Sequence, residues 1–91
     1  ANFVWLGTVN GDLGNPKNWW NADTDAAATR TPGVSNDNND NIWFRKSTTA
    51  NKQLTGKLTS GINDVYFLAS SVTNYTIGSM SAASDGITGQ W

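Results

Sequence analysis

The side chains in this sequence that could do chemistry are few and oxygen-rich: Asp12, Asp37, Asp40 and Asp64, and the run Asn36-Asp37-Asn38-Asn39-Asp40-Asn41. Two facing carboxylates, one with a raised pKa, would suit glycoside hydrolysis. Alternating oxygens at Asp37, Asn39 and Asn41 copy the opening ligands of a calcium loop. Context weakens both readings. All four aspartates sit in turn-like surroundings, where a hydrogen-bonded carboxylate stays ionised. Ile42 stands where an EF-hand needs its turn glycine and Thr48 where it needs a bidentate glutamate. The run therefore reads as an Asx-turn loop, with a generic surface calcium site as the lesser alternative. The chain has no His and no Cys, which removes triad bases, thiolate nucleophiles and the usual zinc sites. No glycine pattern lies between a strand and a helix to cradle phosphate. The expectation is a protein that is not an enzyme, with no cofactor and no metal.

Binding chemistry then falls to aromatic and basic side chains. Asn15-Pro16-Lys17-Asn18-Trp19-Trp20 sets two indoles side by side. Neighbours on a strand face opposite ways, and on a tight turn they splay by about 100°, so one core cannot take both. Trp19 reads as the buried one. Trp20 is the free indole, suited to stacking on a sugar ring or anchoring in a partner's pocket. Arg45-Lys46 beside Trp43 resembles a small stacking platform. With six Lys/Arg against seven Asp and a net charge of -1, nothing draws nucleic acid from a distance, and solvated strand-end charges are the plainer reading.

The elements that position these groups must be short. Ninety-one residues make one domain, 1–91, which hides only about 60 to 65% of its unfolded surface. Five Trp, three Phe and two Tyr give a core of few but large members. Strands are expected at Phe3-Leu6, Asn41-Arg45, Lys52-Thr55, Lys57-Thr59, Val65-Leu68, Val72-Ile77 and Gly86-Trp91, where β-branched and aromatic runs end at glycine or turn residues. In the second, Ile42 and Phe44 share one face and Trp43 takes the other. Asn15 before Pro16 has the form of a helix N-cap followed by proline at the first helical position, enough for one tight turn. From about 21 to 41 periodicity vanishes, which predicts a long loop where partners are met. Ala26-Ala27-Ala28, flanked by Asp and Thr, is too short a run to carry a helix. The fold class is all-β: six or seven short strands, as a sandwich or a short solenoid-like stack, with the long Asn/Asp-rich loop. No strict internal repeat is visible, although Leu54-Thr55-Gly56, Tyr75-Thr76-Ile77-Gly78 and Ile87-Thr88-Gly89 all run from strand into glycine.

Trp5 and Gly7, then Gly11-Asp12, Asn15-Pro16-Lys17-Asn18-Trp19, Pro32-Gly33 and Asp40-Asn41-Ile42-Trp43-Phe44 follow one order. That order resembles the leader of right-handed β-helix segments in autotransporter-type and other bacterial surface proteins, and of small phage-encoded structural proteins. The resemblance covers about half of the chain and carries no reaction. It implies a structural role. The loop between Trp20 and Pro32 is longer than such leaders have, and the residues after Phe44 are few for a many-coil solenoid. One or two coils do not persist without neighbours to bury their faces. The chain then continues in a longer protein, closes as a sandwich, or completes its core against a partner.

No stretch reaches 18 apolar residues and no basic-then-apolar leader opens the sequence, so neither membrane insertion nor a signal peptide is expected. Ala1 commonly follows a removed initiator Met, and a mature secreted chain reads alike. The function expected is a non-catalytic structural protein of a larger assembly, foremost a capsid decoration or cement protein on a phage virion surface. The alternative is an extracellular β-helix cap, adhesin or polysaccharide-binding module at a cell surface. Partners are other proteins, a capsid protein or further copies of the chain, with a glycan as the alternative and no nucleic acid. Contacts are assigned to Trp20, Asp37, Trp43, Arg45 and Trp91, and the core to Trp5, Trp19, Phe44, Phe67 and Ile77.

Overall fold

The computed structural model describes residues 1–34, 38–45, 50–51, 53–58 and 60–68, and the backbone alone of 76–77 and 86–87. Among them run β1 (Asn2–Trp5), a 3-10 turn (Pro16–Asn18), β2 (Trp19–Asn21), β3 (Ala26–Ala27), β4 (Asp40–Phe44), β5 (Gln53–Leu54), β6 (Lys57–Leu58), β7 (Ile62–Phe67), β8 (Thr76–Ile77) and β9 (Gly86–Ile87). The protein is all-β. Two strands, β2 and β3, add to those the sequence predicts, and β5 and β6, on either side of Gly56 at a φ of +72°, have only two residues each.

The main sheet has the order β3-β2-β1-β4-β7. β1, β4 and β7 run parallel, while β2 and β3 fold back antiparallel on the free side of β1. Two further ladders are also parallel: β5 with β8 and β6 with β9. The second of the three ladders begins earlier, at a parallel bridge between Asp12 and Thr55. Successive passes of the chain thus lay strand over strand in three parallel ladders, the construction of a short solenoid. One coil runs from Asp40 through β5 and β6 to its partner Ile62. A second leaves β7 and supplies β8 and β9. The residues after Phe44 therefore suffice for more stacking than their number suggests, because each coil spends only two residues on β5 or β6.

The interior is closed by Phe3, Trp5, Leu13, Trp19, Ile42, Phe44, Ala50, Leu54, Leu58 and Ile62. Trp5 meets Trp19 edge to face with centroids 5.0 Å apart, and Phe44 contacts both rings. Each buried indole N–H has a partner: Trp5 Nε1 donates to the Asn51 carbonyl (2.8 Å) and Trp19 Nε1 to the Leu13 carbonyl (2.9 Å). An aromatic N–H left unpaired in such a core would cost about 1 to 3 kcal/mol.

The leader motif is a set of joints in this frame. Asn15 accepts from the Lys17 amide (3.0 Å) and caps the Pro16–Asn18 turn. Asn18 is fully buried; its Oδ1 accepts the Val9 and Asn10 amides and its Nδ2 donates to Asn10 Oδ1 and the Asp12 carbonyl. That amide fastens the loop after β1 and sends Trp19 inward. Gly33, at a φ of +64°, lies so close to the next coil that a Cβ there would strike the Ser60 carbonyl and the Ile62 side chain.

Two expectations are corrected here. Phe67 is not core: it is 50% exposed, on β7, the last strand in the sheet order. The segment from 21 to 34 is not a featureless loop either. Its alanines pair with β2 as β3, in register Trp20 with Ala27 and Asn21 with Ala26, turning through Asp25 in the left-handed region (φ 53°). Two alanines carry no periodic signal, so the hairpin is invisible to hydrophobic patterning. Residues 35–37, with Asp37, lie outside the described residues, as do Trp91 and the side chain of Ile77, whose backbone pairs with Leu54.

Candidate binding face on the outer side of the main sheet

Strand alternation sends Phe3, Trp5, Trp19, Ile42 and Phe44 into the core and puts the residues between them on the opposite face. Register then sets those outer residues in rows. Trp20 faces Val4, Val4 faces Trp43 and Trp43 faces Tyr66. Trp43 and Tyr66 lie flat on one another, centroids 4.6 Å apart and planes 15° apart. Val4 at the centre of the row is only 8% exposed.

A second row beside it is made of amides. Asn63 Nδ2 donates to Asn41 Oδ1 (3.0 Å), Asn41 Nδ2 to Asn2 Oδ1 (3.2 Å) and Asn2 Nδ2 to Asp23 Oδ1 (2.8 Å). The ladder climbs from β7 through β4 and β1 and ends on a carboxylate, which only accepts. Asp23 also takes the Asn2 backbone amide (3.1 Å), and these hydrogen bonds from Asn2 hold its carboxyl below the ordinary value. At the far end Tyr66 Oη donates to Asp64 Oδ2 (3.2 Å), and the Asp64 charge beside it raises the phenol.

Over the Val4 and Trp43 part of the aromatic row, from Asn2 and Asp23 on one side to Arg45 and Leu68 on the other, is an open depression of about 430 Å³ that Ala22 also lines. Three of the five residues assigned to partner contact, Trp20, Trp43 and Arg45, therefore share this face. Trp20 is half-buried beside Val4, and Arg45 is exposed at the end of β4. Sequence reading missed Asp23, Asn2, Asn41 and Asn63 as a unit, since the register that joins them comes from the coil stacking.

One ionisable group lies inside. Asp40, fully buried, takes Arg30 through both oxygens (2.7 and 3.2 Å), the α-amino group of Ala1 (2.9 Å) and the Gly33 amide (2.7 Å). Burial alone would push its carboxyl up; Arg30, Gly33 and the α-amino group outweigh that and hold it below the usual carboxylate range. Arg30 also lies over the Phe3 ring, 5.0 Å from its centroid. Asp40 sits on a strand and not in a turn, and every bond it makes ties one segment of the chain to another. Among the described residues no group of three or more His, Cys, Asp or Glu comes together; Asp37 of the calcium reading lies outside them, and Asn41 is engaged in the amide ladder. No helix is long and apolar enough to cross a membrane among the described residues.

No known protein family, characterised protein or solved structure matches this chain.

Proposed function

We propose that the protein is a non-catalytic structural element of a larger surface assembly: the capped start of a β-solenoid stack whose last strand receives the next component. The observation that carries this reading is the asymmetry of the main sheet. One edge of the coil stack is covered by the β2–β3 hairpin, and among the described residues the other ends at β7, where Tyr66, Phe67 and, just after the strand, Leu68 are 39, 50 and 46% exposed. Tyr66 on the outer side, Phe67 on the core side and Leu68 just after the strand leave apolar surface on both sides of this edge, which suits another protein.

The side chains of β7 also repeat those of the strands before it. Asn2-Phe3-Val4-Trp5, Asn41-Ile42-Trp43-Phe44 and Asn63-Asp64-Val65-Tyr66-Phe67 align in register, with Asp64 as the extra residue at the irregularity between Asp40 and Ile42. A strand carrying Asn and two large apolar residues at the same spacing would continue all three stacks. The buried carboxylate supports a role without catalysis, since Asp40 is wholly engaged in holding the fold.

Docking on a phage capsid as a decoration or cement protein is the second reading, favoured by the same three exposed side chains. Fractionation of native material separates the readings. The chain should sediment with particles if it decorates a virion and with the envelope if it belongs to a cell-surface stack. Phe67→Lys should release it from either fraction, and Phe67→Ala, which loses the same stack on Phe44 without adding a charge, controls for the accompanying loss of stability. A chain that stays free of both fractions, as a monomer, would contradict the structural role.

A further inference from the structure

We infer that the depression on the outer face, over Val4 and Trp43, is a binding site for a neutral pyranose oligosaccharide. Its volume of about 430 Å³ falls in the range of small-ligand sites, about 300 to 1,000 Å³. Its chemistry fits that ligand class better than an apolar one. Val4, Ala22, Leu68 and the Trp43 indole give a flat apolar floor and wall, and Asn2, Asp23 and Arg45 stand around it as planar polar groups. A pyranose ring has the matching pair of surfaces, a C–H face that stacks on an aromatic and a rim of hydroxyls that both donate and accept.

The groups are also held in advance. Tyr66 stacked on Trp43 fixes the indole, and two hydrogen bonds between Asn2 and Asp23 fix the polar side. Groups already ordered before the ligand arrives lose little freedom on binding, which strengthens a shallow site. The carboxylate of Asp23 can still accept from sugar hydroxyls, because each of its oxygens has a second lone pair. Asp23 and Arg45 give the lining one charge of each sign, a balance that suits a neutral sugar. The site differs from the one that sequence alone favours: Trp20 is on the same face but does not line the depression.

The test is a titration of the whole chain with cellotriose, maltotriose, chitotriose and trigalacturonate, followed by the indole N–H resonances in a nitrogen-proton correlation spectrum. Trp5 and Trp19, whose indole N–H groups are bonded to backbone carbonyls inside the core, serve as internal references. The expected result is a saturable shift of the Trp43 resonance with at least one neutral trisaccharide, with Trp5 and Trp19 unmoved. Arg45→Gln, a change at an exposed side chain, should weaken that binding at least tenfold, and Trp43→Ala should abolish it. No Trp43 shift with any neutral trisaccharide, a response to trigalacturonate alone, or binding unchanged in Arg45→Gln would overturn the assignment.

Discussion

Phe67 lies flat on Phe44, ring centroids 4.8 Å apart and planes 10° apart, yet Phe44 is 1% exposed and Phe67 50%. Two rings in one stack thus mark a sealed coil and the surface that follows it. A half-exposed ring contributes less to stability than a buried one, because only the area removed from water counts. Phe67→Ala should therefore cost about 1 to 2 kcal/mol in urea unfolding, whereas Phe44→Ala should cost about 3 to 5 kcal/mol. Equal losses would mean that β7 is as enclosed as β4.

The adjacent indoles divide in the same way. Trp19 is fully buried and its N–H is bonded to Leu13, so Trp19→Ala should lose about 3 to 5 kcal/mol, enough to unfold a domain of this size. Trp20, half-buried beside Val4 on the outer face, should lose about 1 kcal/mol on the same change. Its effect should appear in partner binding instead. Denaturant midpoints of the two variants, measured side by side, check this; a larger loss from Trp20→Ala would reverse the assignment of faces.

Asp40 gives the fold a dependence on acid. Its folded pKa is lowered relative to the unfolded chain, so its contribution is fully present above the unfolded value, about 3.9. That contribution is lost as pH falls from there through the folded value. Thermal melting should therefore be steady from neutral pH down to about 5 and fall below about 4. Asp40→Asn removes the charge that Arg30 and the α-amino group face, and should cost about 3 to 5 kcal/mol at neutral pH. In that variant the drop below pH 4 should flatten; an acid profile identical to that of the parent would show that other carboxylates control it.

Gly33 tests the coil contact directly. Alanine there combines a left-handed backbone with overlap against Ser60 and Ile62, and should cost about 2 to 4 kcal/mol. Gly14→Ala is the control, since its Cβ would meet only Asp12 Oδ1, at 3.2 Å. Melting temperatures of the two variants should differ widely.

Much of this frame is legible in the residues. Asn15 before Pro16 announces the tight turn, and alternation separates Ile42 and Phe44 from Trp43 because one face of β4 is sealed and the other is not. The all-β class follows from the scarcity of helix formers. What stays hidden is long-range. The repeat through Asn2, Asn41 and Asn63 is masked by the extra Asp64 and by unequal spacing between coils. Asp40 looks like one more loop oxygen until Arg30 and Gly33 are brought to it. The β3 strand is two alanines whose pairing is dictated by β2 and by no preference of their own. Phe67 reads as core because its strand pattern is strong, and pattern does not reveal that a strand is last in its sheet.

The proposed open edge is tested most directly by amide hydrogen exchange on the isolated chain, resolved to individual strands. If β7 is the receiving edge, amides of β1 and β4, which have a strand on each side, should exchange slowest, and those of β7 at least tenfold faster. Protection of β7 equal to that of β4 would mean that the stack is already closed, and would contradict the claim that its last strand awaits a partner.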